Sequence, residues 1–190
     1  MAKWLASPAL EPNVRVLSSQ LAVEVLAPRA ALIVQARPES VEKVSRTSLR
    51  DVPFPSQPNT VSGSDPIIWW MNPVAWLVTA ASIDAPSLSK DLTTLSSEIP
   101  LSIVDASDSF ATFQARGARA RDLLARGTGL NLDPAQFRPG QCARTRLANL
   151  SALIRPLPDQ SLEIWIDRSV AHHFYDWLLD AAVGVRERIA

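Results

Sequence analysis

Two periods of hydrophobicity share this chain, and the points where one gives way to the other mark its elements. The change is sharpest over residues 113–147, where a strand, an amphipathic helix, a long turn and another strand are predicted in succession. Gly117 breaks the first strand, and from Ala118 the period is helical: Ala120, Leu123 and Leu124 share one face, Arg119, Asp122 and Arg126 the other. Asp122 therefore stands at i,i+3 and i,i+4 spacing from two arginines. Gly127 and Gly129 supply a C-terminal cap and turn, and Asn131, Asp133 and Pro134 keep the following segment out of helix.

Elsewhere the pattern is shorter. Residues 1–28 mix Pro8, Pro12 and Pro28 with small apolar pieces and show no sustained period, which predicts an irregular N-terminal arm. The apolar run 31–36 reads as an inner strand, and Pro38 opens a helical turn with Val41, Val44 and Leu49 inward. Four prolines between 51 and 66 remove backbone donors and predict a long loop. Residues 67–71 and 76–79 flank Asn72-Pro73 as a hairpin whose first strand is apolar on both faces. A helix follows Pro86, with Leu88, Leu92 and Leu95 at helical spacing, and ends before Pro100. Residues 103–105 and 110–115, joined by a polar turn at 106–109, read as a second hairpin.

Three strands are predicted at 145–148, 152–155 and 162–167, the last with Leu162, Ile164 and Ile166 inward and Glu163, Trp165 and Asp167 outward. Ser169 caps a final helix whose apolar stripe is Val170, Phe174, Trp177, Leu178, Ala181 and Val185. This order predicts an α+β fold, a mostly antiparallel sheet with helices packed on it. A single domain over 1–190 suits the length, with two related halves meeting near residue 100 as a further option.

Charge changes the picture locally rather than globally. Nineteen basic residues balance nineteen acidic ones, so no overall field recruits nucleic acid or an anionic membrane. Within 116–146, however, seven arginines face two aspartates, net +5, while 83–110 holds five acids and one lysine, net −4, an asymmetry suited to orienting a protein partner. The one cysteine, Cys142, excludes an intrachain disulfide and suits a reducing cytoplasm. The run 4–6 is too short for a signal-peptide core, and no stretch is long enough to span a bilayer.

Candidate chemistry is sparse. Gly127-Thr128-Gly129 ends a helix and no lysine follows, unlike a phosphate loop. Asp105 and Asp108 straddle a turn and suit turn capping better than acid/base work. His172 and His173, the only histidines, are adjacent on a helix and diverge by about 100°, which does not make a chelating pair. Cys142 has no catalytic partner implied and reads as a small strand residue. Of the six tryptophans (Trp4, Trp69, Trp70, Trp76, Trp165 and Trp177), Trp165 alternates onto a face with two acids, leaving an interface role and edge packing open. Arg144 and Arg146 alternate on one side of a strand, either solvated or docked on an acidic partner.

One longer pattern goes further. The runs Arg121-Asp122-Leu123-Leu124-Ala125-Arg126-Gly127, Leu130-Asn131-Leu132-Asp133-Pro134 and Phe137-Arg138-Pro139-Gly140-Gln141-Cys142-Ala143-Arg144-Thr145 resemble the gamma subunit of heterotetrameric sarcosine oxidase. So do the strand 162–167 and the helix carrying Arg168-Ser169, Ala171-His172 and Asp176-Trp177-Leu178; Val74 and Ala75 depart from the family, which carries acids there. The resemblance implies a fold related to folate-binding aminomethyltransferase domains. It implies a non-catalytic small subunit, with no cofactor or metal of its own; the surface residues read above, Arg144, Arg146 and Trp165, are then the candidates for docking. Its partners would be the alpha, beta and delta subunits, which hold NAD, FAD, covalent FMN, the tetrahydrofolate site and zinc. The flavoenzyme so implied demethylates sarcosine oxidatively, consumes oxygen, yields glycine and hydrogen peroxide, and passes the one-carbon unit to tetrahydrofolate. A stand-alone folate-binding one-carbon protein is the alternative. A nucleic-acid module built on the arginine-rich segment is disfavoured by the neutral charge and the pairing of Asp122.

Overall fold

The computed structural model describes residues 8–80 and 85–186, so the apolar run 4–6 and Trp4 lie outside the described residues. In chain order the strands are β1 (Asn13–Ser18), β2 (Leu21–Val25), β3 (Ala30–Ala36), β4 (Ser48–Leu49), β5 (Val52–Pro53), β6 (Val61–Ser62), β7 (Ile67–Asn72), β8 (Ala75–Ala80), β9 (Leu101–Asp105), β10 (Phe110–Arg116), β11 (Ala143–Leu147), β12 (Leu150–Pro156) and β13 (Leu162–Asp167). The helices are α1 (Val41–Ser45), α2 (Ala85–Ser96), α3 (Ala120–Ala125) and α4 (Ala171–Arg186). They belong to two compact units, one made of Met1–Pro28, Asp108–Pro139 and Arg144–Ala190, the other of Arg29–Ser107 and Gly140–Ala143. The division is not a single cut near residue 100; the chain leaves the first unit after Pro28 and returns at Asp108.

The second unit is a five-stranded sheet in the order β6-β7-β8-β3-β9, with β3, β6, β7, β8 and β9 paired antiparallel. One sheet face packs Leu32, Val34, Trp76 and Val78 on the α2 side chains Leu88 and Leu92, as the helical spacing predicts. The stretch 51–66 is mostly loop, with β5 and β6 as two-residue strands, and Arg50 and Asp51 turn between β4 and β5 at positive φ of 50° and 65°. Residues 140–143 return to this unit: Gln141 bridges Thr60, and the Cys142 N–H donates to Asn59 O at 2.8 Å.

The first unit is a six-stranded sheet, β1-β2-β10-β13-β12-β11, in which β1–β2, β2–β10, β10–β13 and β13–β12 pair antiparallel. On one face Phe113 packs edge-on to Phe174 of α4, with ring centres 5.1 Å apart, and Leu123 and Leu124 of α3 are fully buried. Two expectations are corrected here. The described part of the N-terminal segment is not irregular: β1 and β2 form a hairpin, and Leu21, Val23 and Val25 are buried between Ala22 and Glu24. Five alternating residues are too short a window for the period to stand out in sequence, yet enough to fill one sheet face. Strands β9 and β10 are not a hairpin either. β9 pairs with β3 and β10 with β13 and β2, all distant in sequence, and the connection between them holds a side-chain turn in which Asp105 Oδ1 accepts from the Ser107 N–H and hydroxyl.

Gly127 also acts differently from the predicted cap. Its φ is not positive; a Cβ there would lie 2.5 Å from the Trp177 ring, so the residue is small because an indole occupies the space. Gly117 does need its conformation: φ is +98°, and an added Cβ would meet Gln20 O at 2.3 Å.

Candidate functional site

The face of the six-stranded sheet opposite α3 and α4 carries polar residues at successive strand positions. Register places Gln114 opposite both Glu24 on β2 and Glu163 on β13, and Glu163 opposite Arg155 on β12. The pleat brings all four to one face. Glu163, 1% exposed, accepts from Arg155 Nε at 2.9 Å and Nη2 at 2.5 Å through Oε2, and from the Trp165 indole N–H at 2.7 Å through Oε1. Gln114 continues the row. Its Nε2 donates to Ser161 Oγ at 2.6 Å, its Oε1 accepts from Arg116 Nη2 at 2.8 Å, and Arg116 pairs with Glu24 at 2.5 Å. Ser161 donates by hydroxyl and N–H to Asp159, which holds that carboxyl below its ordinary value.

Both oxygens of Glu163 are engaged by donors that fix their orientation. A carboxylate held this way positions its neighbours and is poorly suited to passing a proton. The arrangement organises a buried polar face. It is charge-balanced between Arg155 and Glu163 and ties β12 to β13 across the turn at 157–161.

The arginine-rich motif has a structural explanation of its own. Arg121, on α3, donates through Nη1 to Leu132 O at 2.5 Å and to Phe137 O at 3.3 Å, and through Nη2 to Gln160 Oε1 at 3.3 Å. Burial lowers its guanidinium pKa, opposed by the charge of Asp133. Asn131 Oδ1 accepts from Asp133 N and Asp133 Oδ1 from Ala135 N, two side-chain turns that shape the loop which Arg121 clamps. Leu132 and Phe137 are buried beneath it.

Of the sequence-derived docking residues, Arg144 and Arg146 lie exposed on one face of β11, the end strand of the sheet. Trp165 does not join them at a surface. It is 2% exposed, its ring meets Phe110 at 5.7 Å, and its N–H is bound to Glu163, so the expected docking role is corrected to a core one. Alternation correctly sets Glu163 and Trp165 on the face away from Leu162, Ile164 and Ile166, but that face is buried here, not solvent-exposed. The missed signal is Arg155, which stands eight residues before Glu163 across a short turn and supplies its counter-charge.

The other candidates are dispersed. His172 and His173 are exposed on α4. Cys142 is buried, with Sγ 3.5 Å from Thr60 O. Asp105 caps its turn, and Asp108 lies 3.5 Å from Arg168. Asp122 pairs with Arg119 at 3.0 Å. Among the described residues no group of three or more His, Cys, Asp or Glu side chains converges as a metal site, and no helix is long and apolar enough to cross a membrane.

The architecture, an α+β chain of mostly antiparallel sheets with a few helices, places the protein in a known fold class. Aminomethyltransferase T of the glycine cleavage system from Bartonella henselae shares it with a TM-score of 0.61 over 84% of this chain and 45% of that one, at 12% identity. A chain of the heterotetrameric sarcosine oxidase from Corynebacterium sp. U-96, solved in complex with pyrrole 2-carboxylate, matches at a TM-score of 0.78, 22% identity, over 90% of this chain and 87% of that one. In sequence, the sarcosine oxidase subunit gamma of Corynebacterium sp. (strain U-96) is 26% identical over 150 residues, 78% of this chain and 72% of the relative. The model of the sarcosine oxidase gamma subunit family matches residues 36–184, and the chain belongs to that family.

Proposed function

We propose that the chain serves as the gamma subunit of a multisubunit sarcosine oxidase and packs against the folate-binding part of the alpha subunit. The observation that carries this reading is the family match over 36–184, supported by the gamma-subunit relative at 26% identity. The complex would demethylate sarcosine to glycine, with tetrahydrofolate as the one-carbon acceptor. The cofactors FAD, FMN, NAD and tetrahydrofolate, together with zinc, would reside in the alpha, beta and delta subunits. In that setting the gamma chain contributes shape. Its polar side chains on the six-stranded sheet are engaged in a network that fixes them, and Arg121 immobilises the loop 128–139.

The test is purification of the tagged chain from its native host under mild conditions, followed by a visible spectrum and identification of the chains that accompany it. A yellow complex with several different chains is expected. A colourless monomer overturns the subunit reading, and saturable quenching of its tryptophans by tetrahydrofolate would then establish a stand-alone folate binder.

A further inference from the structure

Arg144 and Arg146 differ from the arginines that the fold pairs with carboxylates. Arg46, Arg50, Arg116, Arg119, Arg155 and Arg168 each have a carboxylate within 3.5 Å. No carboxylate of the described residues pairs with either Arg144 or Arg146, and both side chains are exposed. Arg146 Nη2 donates to Asn149 O at 2.9 Å, which lays the side chain along the β11–β12 turn and leaves its charge uncompensated. The alternate residue Thr145 points the other way, its hydroxyl 3.4 Å from that of Thr128. The two guanidinium groups therefore stand two residues apart on one face of a strand, roughly 6.8 Å along it.

Their strand is the last in its sheet. β11 neighbours β12 on one side only, and a sheet edge presents a row of backbone N–H and C=O groups that another extended chain can pair with. An extended partner repeats side chains on one face every two residues, matching the spacing of Arg144 and Arg146. A helix cannot pair along the edge in this way, because its own N–H and C=O groups are bonded within it.

We infer that β11 is the seat of an acidic, extended segment from another subunit of the assembly, lying along its open edge with carboxylates at alternate positions facing Arg144 and Arg146. Backbone pairing would supply affinity and the two charges would set register. The inference deepens the subunit reading and rests on it. A nucleic-acid strand is the competing anion, set against by a chain whose net charge is zero.

The test uses the complex recovered on the tagged full-length chain. If the wild-type chain recovers no partner, the subunit reading fails and this inference falls with it. Given recovery by wild type, R144E/R146E is expected to recover about tenfold less partner, with unchanged circular dichroism and melting temperature, while R144K/R146K retains it. Carbodiimide treatment of the R144K/R146K complex should then join positions 144 and 146 to two acidic residues spaced i,i+2 in one partner segment. Wild-type recovery by R144E/R146E overturns the inference. So do adducts at helical i,i+4 spacing, no adducts at all, or recovery that nuclease abolishes.

Discussion

The two sheets bury their tryptophans with different chemistry. In the five-stranded sheet the Trp76 N–H donates to Pro55 O at 2.8 Å and the Trp69 N–H to Thr79 Oγ1 at 3.1 Å, both neutral acceptors, and Phe54 meets Trp76 edge-on. In the six-stranded sheet the acceptor for Trp165 is a carboxylate, itself neutralised by a guanidinium. The neutral arrangement needs only one well-placed oxygen. The ionic one ties together three side chains on two strands, so each depends on the other two. A buried ion pair contributes little net stability when intact but costs a great deal when one partner is removed. The six-stranded sheet is thus more specifically wired and more fragile to single substitutions along that row.

The sharpest break of this contrast is Glu163→Ala. It leaves the Arg155 guanidinium and the Trp165 N–H without their carboxylate, and denaturant unfolding should show a loss of about 3–5 kcal/mol. Trp76→Phe probes the neutral counterpart. Removing its N–H strands the buried Pro55 carbonyl, and the same measurement should show about 1–3 kcal/mol. If Trp76→Phe cost more than Glu163→Ala, the distinction between the two sheets would collapse.

Acid provides the gentlest probe, and it acts on one sheet. The Ser161 hydroxyl and N–H hold the Asp159 carboxyl below its ordinary value of 3.8. Since the folded value lies below the unfolded one, the contribution is present above that pH and is lost as pH falls through the folded value. Asp159→Asn should flatten the acid limb of stability slightly, read as the denaturation midpoint between pH 5 and pH 2. An unchanged limb would show that the Ser161 turn carries no such linkage.

Legibility followed the length and independence of each signal. Helix α2 was readable because Leu88 and Leu92 recur at helical spacing along a twelve-residue element and meet one sheet face. The β7–β8 hairpin was readable because Asn72-Pro73 punctuates two apolar runs. Strands β9 and β10 each read correctly as strands, but nothing in a local pattern says which sheet a strand joins, and the Asp105 turn looks the same either way. On β13 the alternation identified Leu162, Ile164 and Ile166. It misplaced Trp165 because the environment of Glu163 is set by Arg155 on a neighbouring strand. Arg144 and Arg146 read as neighbours on one side of a strand, and β11 carries them so, both exposed.

The membership of the first unit, split between the start of the chain and its second half, has a consequence for biosynthesis. Val25 of β2 pairs with Phe113 of β10, so the hairpin at the start of the chain leaves the ribosome well before the strand that completes its sheet. At typical elongation rates the delay is about ten seconds. The intervening 29–107 segment, nearly all of the other unit, emerges in that interval and can condense first. The valines Val14 and Val16 of the waiting hairpin are still 58% and 73% exposed in the finished fold, so the nascent chain offers a sticky surface that a chaperone or an early-arriving partner chain would shield.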